Sequence, residues 1–269
     1  MNQHSPYANG KVYLIGAGPG DPDLITVRGA NILEQAEVIV YDRLANPELL
    51  ALTGEHSEHI YVGKQPDKPS VSQQQINHIL ISKAKEGKTV ARLKGGDAFV
   101  FGRGGEECEA LRSEDISYEV VPGISSALAA PVYAGIPLTH RGVARSFTVV
   151  TGHTLAGSDN FQNWQHIVHA DTLVVLMGVR KMAAIADLLV KYGRKEDTPV
   201  AVIQKATYES QQTVVATLGT IAEEAAHIKS PATIVVGELV SFSNDLSWFG
   251  DNAATQQADA RPVLTNFAV

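Results

Sequence analysis

A chain of 269 residues, 44% hydrophobic and 19% charged, is long enough for one large domain or two ordinary ones and does not read as disordered. Its formal charge of −7 argues against non-specific nucleic-acid binding, and its one cysteine, Cys108, excludes an intrachain disulfide and suits a reducing cytoplasm. No apolar run nears the roughly 20 residues of a membrane helix, and the start, MNQHSPYANG, has neither the basic nor the apolar region of a signal peptide.

In chain order, short β-branched runs recur at 11–15, 37–41, 59–62, 89–93, 118–121, 146–151, 172–177, 199–203, 213–217 and 233–237. Helical spacing lies between them: Leu24 to Ala36, Ser72 to Glu86 and Arg180 to Tyr192. Strands alternating with helices predict an α/β fold with largely parallel sheets. Ten strands are many for a single sheet, so the chain divides near THRGVARS. This predicts an N-terminal α/β domain over 11–142 and a C-terminal one over 146–250. Residues 1–10 and 251–269 show no periodicity and are expected to be disordered tails.

The first strand runs into GAGPGDPDLIT (16–26). A glycine loop between strand and helix suggests a phosphate cradle, and Asp42 falls near the ribose-binding acid of a dinucleotide site. Yet the third glycine of that fingerprint is Asp21, and Pro19 lacks an N–H. A tight turn is the alternative. RLKGGDAFVFGRGGEE (92–107) follows another strand. Its adjacent glycines let a ligand touch backbone. Asp97 can accept from a hydroxyl or an amine. Arg103 can fork onto a carboxylate or pair with Glu106. In VVPGISSALAAPVYAGIPLTHRG (120–142), Ser125 and Ser126 suit a helix N-cap or a ligand contact. His140 reads as structural. Met177 ends the strand of LVVLMGV, where methionine is usually core. Residues 64–145 hold 11 of the 22 Lys and Arg against 9 of the 29 acids, a basic middle suited to an anionic ligand. No Cys/His spacing suggests a metal.

Taken together these motifs, with VYDRL (40–44), VGK (62–64), GIPLTHR (135–141), TGH (151–153), LMG (176–178) and SPATIVVG (230–237), resemble in order the uroporphyrinogen-III C-methyltransferases of the tetrapyrrole methylase family. The ordered set spans about residues 11–250. The resemblance implies two α/β domains with S-adenosylmethionine (SAM) in the cleft between them, a cytoplasmic homodimer, and methylation of uroporphyrinogen III at C2 and C7 to precorrin-2, early in sirohaem, cobalamin or related synthesis. It needs no metal. SAM carries no phosphate, which fits a loop interrupted by Pro19 and Asp21. By resemblance, Pro19, Gly95, Gly96, Asp97, Val100, Ser125, Ser126, Met177 and Ala206 line the SAM site, with Thr233 toward the adenine. Ser125 and Ser126 stand where family members often have a Thr-Ala pair. Arg103, Glu106, Arg141 and Met177 fall at substrate-binding positions, matching the eight carboxylates of uroporphyrinogen. Asp42 and Lys64 match acid–base positions, although Asp42 can equally be a structural acid beside Arg43. Rival readings are a methylase for a later corrin precursor, a diphthine synthase, an NAD-dependent oxidoreductase, and a non-catalytic tetrapyrrole-binding protein.

Overall fold

The structure, a computed structural model, describes residues 10–63, 71–152 and 164–250. Lys64, His153 and the terminal segments 1–9 and 251–269 therefore lie outside the described residues. By contacts the chain forms two compact units, one up to Ala129 with Ala206–Tyr208, the other from Ala130 to Lys205 and from Glu209 onward.

The first unit is built on a five-stranded parallel sheet: β1 (Lys11–Gly16), β2 (Val38–Tyr41), β3 (Glu58–Tyr61), β4 (Val90–Lys94) and β5 (Ser117–Val121). Their order is β3-β2-β4-β1-β5. Alternate residues of each strand serve opposite faces. Val12, Leu14, Val38, Val40 and Val90 meet α2 (Gln73–Lys85) and α3 (Gly104–Ser113) through Ile76, Leu80 and Leu111. Ile15, Ile39, Leu93 and Val121 meet α1 (Val27–Gln35) through Leu33. Each fully buried Leu or Ile contributes on the order of 1.5–3 kcal/mol to this sandwich.

The connections place the ligand-accessible end. From β1 the chain crosses β4 to reach β2; from β4 it crosses β1 to reach β5. The chain thus leaves adjacent strands β1 and β4 in opposite directions. Beyond the carboxyl ends of such a pair is where open α/β sheets bind ligands.

A short α4 (Ser126–Tyr133) leads into the second unit. Its sheet has the order β6-β7-β10-β8-β9, from β6 (Phe147–Thr151), β7 (Thr172–Leu176), β8 (Pro199–Gln204), β9 (Gln212–Thr217) and β10 (Ala232–Val236). A short α5 (Trp164–Ile167) precedes β7, and α6 (Met182–Lys191) follows it. Ile185, Leu188 and Leu189 of α6 pack on Leu173, Val175, Val200, Val202 and Ile234. The short α7 (Ile221–Glu224) and α8 (Ser243–Leu246) complete the helices among the described residues.

The expectation of largely parallel sheets fails here. Only β6 and β7 pair in parallel; β10 runs antiparallel to β7 and β8, and β8 antiparallel to β9. The connection between β8 and β9, residues 205–211, is too short for a crossover helix, so it closes a hairpin.

Candidate functional site

The loops after β1, β4 and β5 meet backbone to backbone. Gly18 and Gly96 exchange hydrogen bonds, at 3.2 Å from Gly18 N to Gly96 O and 2.7 Å in return. A Cβ on Gly123 would stand 2.4 Å from Gly96 O and 2.6 Å from Gly16 Cα. The glycines therefore permit three strand ends to touch.

Three donors of the opening loop are already bonded within the protein. Ala17 N donates to Lys94 O at 2.7 Å, Gly18 N to Gly96 O, and Asp21 N to Thr207 Oγ1 at 2.8 Å. Pro19 has no N–H to offer. Asp21 itself caps the turn Pro22–Leu24, and α1 starts only at Val27, capped by Thr26. A pyrophosphate needs free N–H groups at a helix start, and this loop does not provide that cradle. Asn46 Nδ2 donates to Gly20 O at 2.8 Å and fixes the loop further.

Asp97 ties the next two loops together. Its Oδ1 accepts from Phe99 N at 2.8 Å and Val100 N at 3.2 Å, and its Oδ2 accepts from Gly123 N at 3.0 Å. Beside it, Phe99, Val100 and Phe101 are exposed. Gly96 faces open space, since a Cβ there would meet nothing nearer than Ser125 Cα and Ser126 N at 3.8 Å. Ser125 is buried and its hydroxyl accepts from Ala127 N at 3.2 Å, so it serves as a helix cap whatever else it touches. A half-buried glycine cradle, an apolar rim and a nearby carboxylate fit an adenosyl group carrying an ammonium and a sulfonium.

Arg103 sits in the left-handed region at φ 58°, as does Phe101 at φ 53°. A non-glycine residue in that region carries backbone strain, and such residues cluster at active sites and ligand clamps. The ion-pair alternative is realised. Arg103 Nε and Nη2 each reach Glu106 at 2.7 Å. The hydrogen bond from Arg103 holds Glu106 below the usual carboxylate range, and Glu106 raises Arg103. The guanidinium is thus presented, already oriented, by a carboxylate at the surface.

Asp42 follows β2. Its Oδ2 accepts from Arg92 Nη2 at 3.0 Å and its Oδ1 from Leu44 N at 3.0 Å. The partner is Arg92, not Arg43. Leu44 also packs on Gly95, whose Cβ would come within 2.5 Å of Leu44 Cβ. Arg92 in turn contacts Glu107, and Glu107 contacts Lys94; the motif contains all three, but their burial and pairing with one another, which takes Lys94 out of the basic surface for an anionic ligand, were not read from it. The signal was present in the sequence. Val90, Arg92 and Lys94 alternate on one face of a central strand, where charges need a buried partner.

Of the expected site residues, the first unit thus gathers Pro19, Asp42, Gly95, Gly96, Asp97, Val100, Arg103, Glu106, Ser125 and Ser126. Ala206 also belongs to this unit by contacts and is buried. Arg141 and Met177 belong to the second unit. Met177 is not core: it is 48% exposed and left-handed at φ 56°. Arg141 lines an open cavity of about 410 Å³ with Thr139, His140 and Arg145. His140 is held by a 2.9 Å contact between Nδ1 and Arg141 O and by the ring of Phe242, as its structural reading expects. Thr233 is buried within β10. Among the described residues no group of His, Cys, Asp and Glu could hold a metal ion, and no helix is long and apolar enough to cross a membrane.

Known proteins resemble this chain in sequence and in fold. A uroporphyrinogen-III C-methyltransferase of Priestia megaterium is 49% identical over 237 residues, covering 87% of this chain and 100% of that protein. A siroheme synthase of Thiobacillus denitrificans is 45% identical over 264 residues, which cover 97% of this chain but 54% of that protein. The chain thus spans about half the length of the siroheme synthases it matches. Among solved structures, uroporphyrin-III C-methyl transferase from Thermus thermophilus complexed with S-adenyl homocysteine aligns with a TM-score of 0.75 at 39% identity, covering 86% of this chain and 99% of that one. The model of the tetrapyrrole (corrin/porphyrin) methylases matches residues 11–222, and the chain belongs to that family.

Proposed function

We propose that this protein is a SAM-dependent methyltransferase that methylates uroporphyrinogen III at C2 and C7 and yields precorrin-2. The observation that carries the reading is the spent loop at the β1–β4 crevice. Three of its N–H groups, those of Ala17, Gly18 and Asp21, are bonded within the protein and Pro19 has none, so the crevice suits a nucleoside ligand without phosphates better than a nicotinamide dinucleotide. When bound, SAM supplies a methyl group made electrophilic by its sulfonium.

The chain's own residues would hold and align the two reactants, whose near-contact placement is the main source of rate. Gly95, Gly96 and Val100 form the cradle, with Pro19, Ser125, Ser126, Met177 and Ala206 as further contacts. Asp97 faces the ammonium or a ribose hydroxyl. Arg103 exchanges its Glu106 partner for a substrate acetate or propionate. It stays protonated throughout, so its role is to bind and steer the macrocycle. Arg141, beside Arg145, takes a second carboxylate. Asp42 and Lys64 are the acid–base candidates. A homodimer, a cytoplasmic setting and functional domains over 11–142 and 146–250 belong to the same proposal.

Incubation with methyl-labelled SAM and uroporphyrinogen III, without oxygen, tests it. Label in the tetrapyrrole supports the reading. S-adenosylhomocysteine binding without transfer points to another methyl acceptor, and tight NAD binding in its place overturns the donor assignment.

A further inference from the structure

Beneath the strand ends of the first sheet lies a set of charges that the proposed chemistry leaves unused. Arg92 and Lys94 are 3% and 4% exposed, and Glu107 of α3 is fully buried. Arg92 Nε donates to Glu107 Oε1 at 3.1 Å, its Nη1 to Leu93 O at 3.0 Å and its Nη2 to Asp42 Oδ2 at 3.0 Å. Lys94 Nζ donates to Glu107 Oε1 at 3.1 Å and stands 3.0 Å from Oε2. Gln73 Nε2 of α2 adds another donor to Glu107 at 3.2 Å. Burial, and then the charge of Arg92, pulls the Lys94 ammonium below its ordinary range, while Glu107 opposes that shift.

A buried ion pair is weak ground for stability, because desolvation offsets the attraction; fixing one geometry is its better use. Here the geometry has a direction. Glu107, itself on α3, is held by Gln73 of α2 and by Arg92 and Lys94 of β4 at once. It orients the guanidinium plane of Arg92. That plane presents Nη2 to Asp42, while Leu44 N takes the other carboxylate oxygen. Both Asp42 oxygens are therefore held, yet the side chain remains 26% exposed at the open end of the sheet. Glu107 also adjoins Glu106, the partner of Arg103, so the same buried anchor pins the first turn of α3.

We infer that Arg92 and Glu107 are positioning residues for Asp42, holding its carboxylate in one orientation at the β2 end of the site. The inference rests on the methyltransferase reading and on Asp42 acting on the substrate. It assigns Arg92 no contact with either ligand.

A double-mutant cycle tests it, with Asp42→Asn, Arg92→Met and the pair measured for kcat, KM and S-adenosylhomocysteine affinity. In the wild-type background Arg92→Met should lower kcat by about 100-fold, the cost of misplacing a reacting group by roughly 1 Å. Donor affinity and a cooperative melt should remain. With Asp42→Asn already present, Arg92→Met should cost less than about threefold more. The same factor in both backgrounds overturns the inference, as does loss of donor affinity in step with kcat. Should Arg92→Met fail to melt cooperatively, Arg92→Lys carries the same cycle, since it keeps the charge and loses the two-headed fork. Turnover of uroporphyrinogen III by the unmodified protein is the separate control. Turnover with an additive cycle sinks this inference alone; no turnover of uroporphyrinogen III sinks the acceptor assignment and the inference with it.

Discussion

Arg103 spends backbone strain to stand where it does. A left-handed non-glycine residue costs roughly 1–2 kcal/mol, and the loop holds two, Phe101 and Arg103, separated only by Gly102. The forked contact with Glu106 fixes the guanidinium, which in the proposed function meets a substrate carboxylate. Arg103→Ala should therefore lower kcat/KM for the polycarboxylate by about 10- to 100-fold, the worth of a charge-assisted fork. Calorimetry should show donor affinity unchanged; loss of donor binding would contradict the division of roles. The glycines separate in the same way. Gly123→Ala drives a Cβ onto two backbones and should destabilise by about 3 kcal/mol. Gly105→Ala, inside α3 with nothing within 4 Å, should stabilise by about 0.5–1 kcal/mol. Thermal melts of the two variants, read side by side, check both signs.

The individual site residues were only partly legible. Gly96 and Asp97 stood out as types that ligands need. Arg103 left a choice between substrate and Glu106 that only coordinates display. Met177 read as core on composition, because a sequence does not reveal that its strand ends one residue earlier and turns left-handed. Glu107 was hidden by its neighbour: two adjacent glutamates look alike in sequence, yet one lies at the surface and the other at the bottom of the sheet.

At the scale of elements, the ten β-branched runs all became strands: burial on both faces selects Val, Ile and Leu in the inner strands, while the edge strands β3, β5, β6 and β9 keep exposed positions. The start of α2 was read from spacing alone, and its cap appears only in the structure. Ser72 and Gln75 form a capping box at the start of α2, with Gln75 N donating to Ser72 Oγ at 3.2 Å and Ser72 N to Gln75 Oε1 at 2.7 Å. Ser72→Ala should cost about 1 kcal/mol of stability in a denaturant melt; a change under a few tenths would mean that α2 is held by packing alone. Strand direction in the second sheet was not readable. Buried strands carry the same composition whichever way they run, and only the short 205–211 connection hinted at a hairpin. Helix α3 was also obscured, because GRGGEE reads as loop until Cys108 and Leu111 are seen to face the core.

For the whole molecule, acid is the sensitive direction. Hydrogen bonds hold several carboxyls below their usual values: Glu37 from Lys88 and Thr89 N, Glu119 from Lys11 and Arg28, Asp171 from Arg145 N and Ser146. A carboxyl lowered by folding contributes stability that is full above its unfolded value and lost as pH falls through the folded one. Stability should therefore hold near neutrality and decline from about pH 4.5 downward. Asp171→Asn, which loosens the entry to β6, should flatten that decline; an unchanged acid profile would contradict the assignment.

The most direct measurement counts methyl groups. Purified protein, excess SAM and uroporphyrinogen III are incubated without oxygen, and the tetrapyrrole is weighed by mass spectrometry. A gain of two methyl groups is the expected result. An unmodified macrocycle, recovered while the protein still binds S-adenosylhomocysteine, would contradict uroporphyrinogen III as the acceptor.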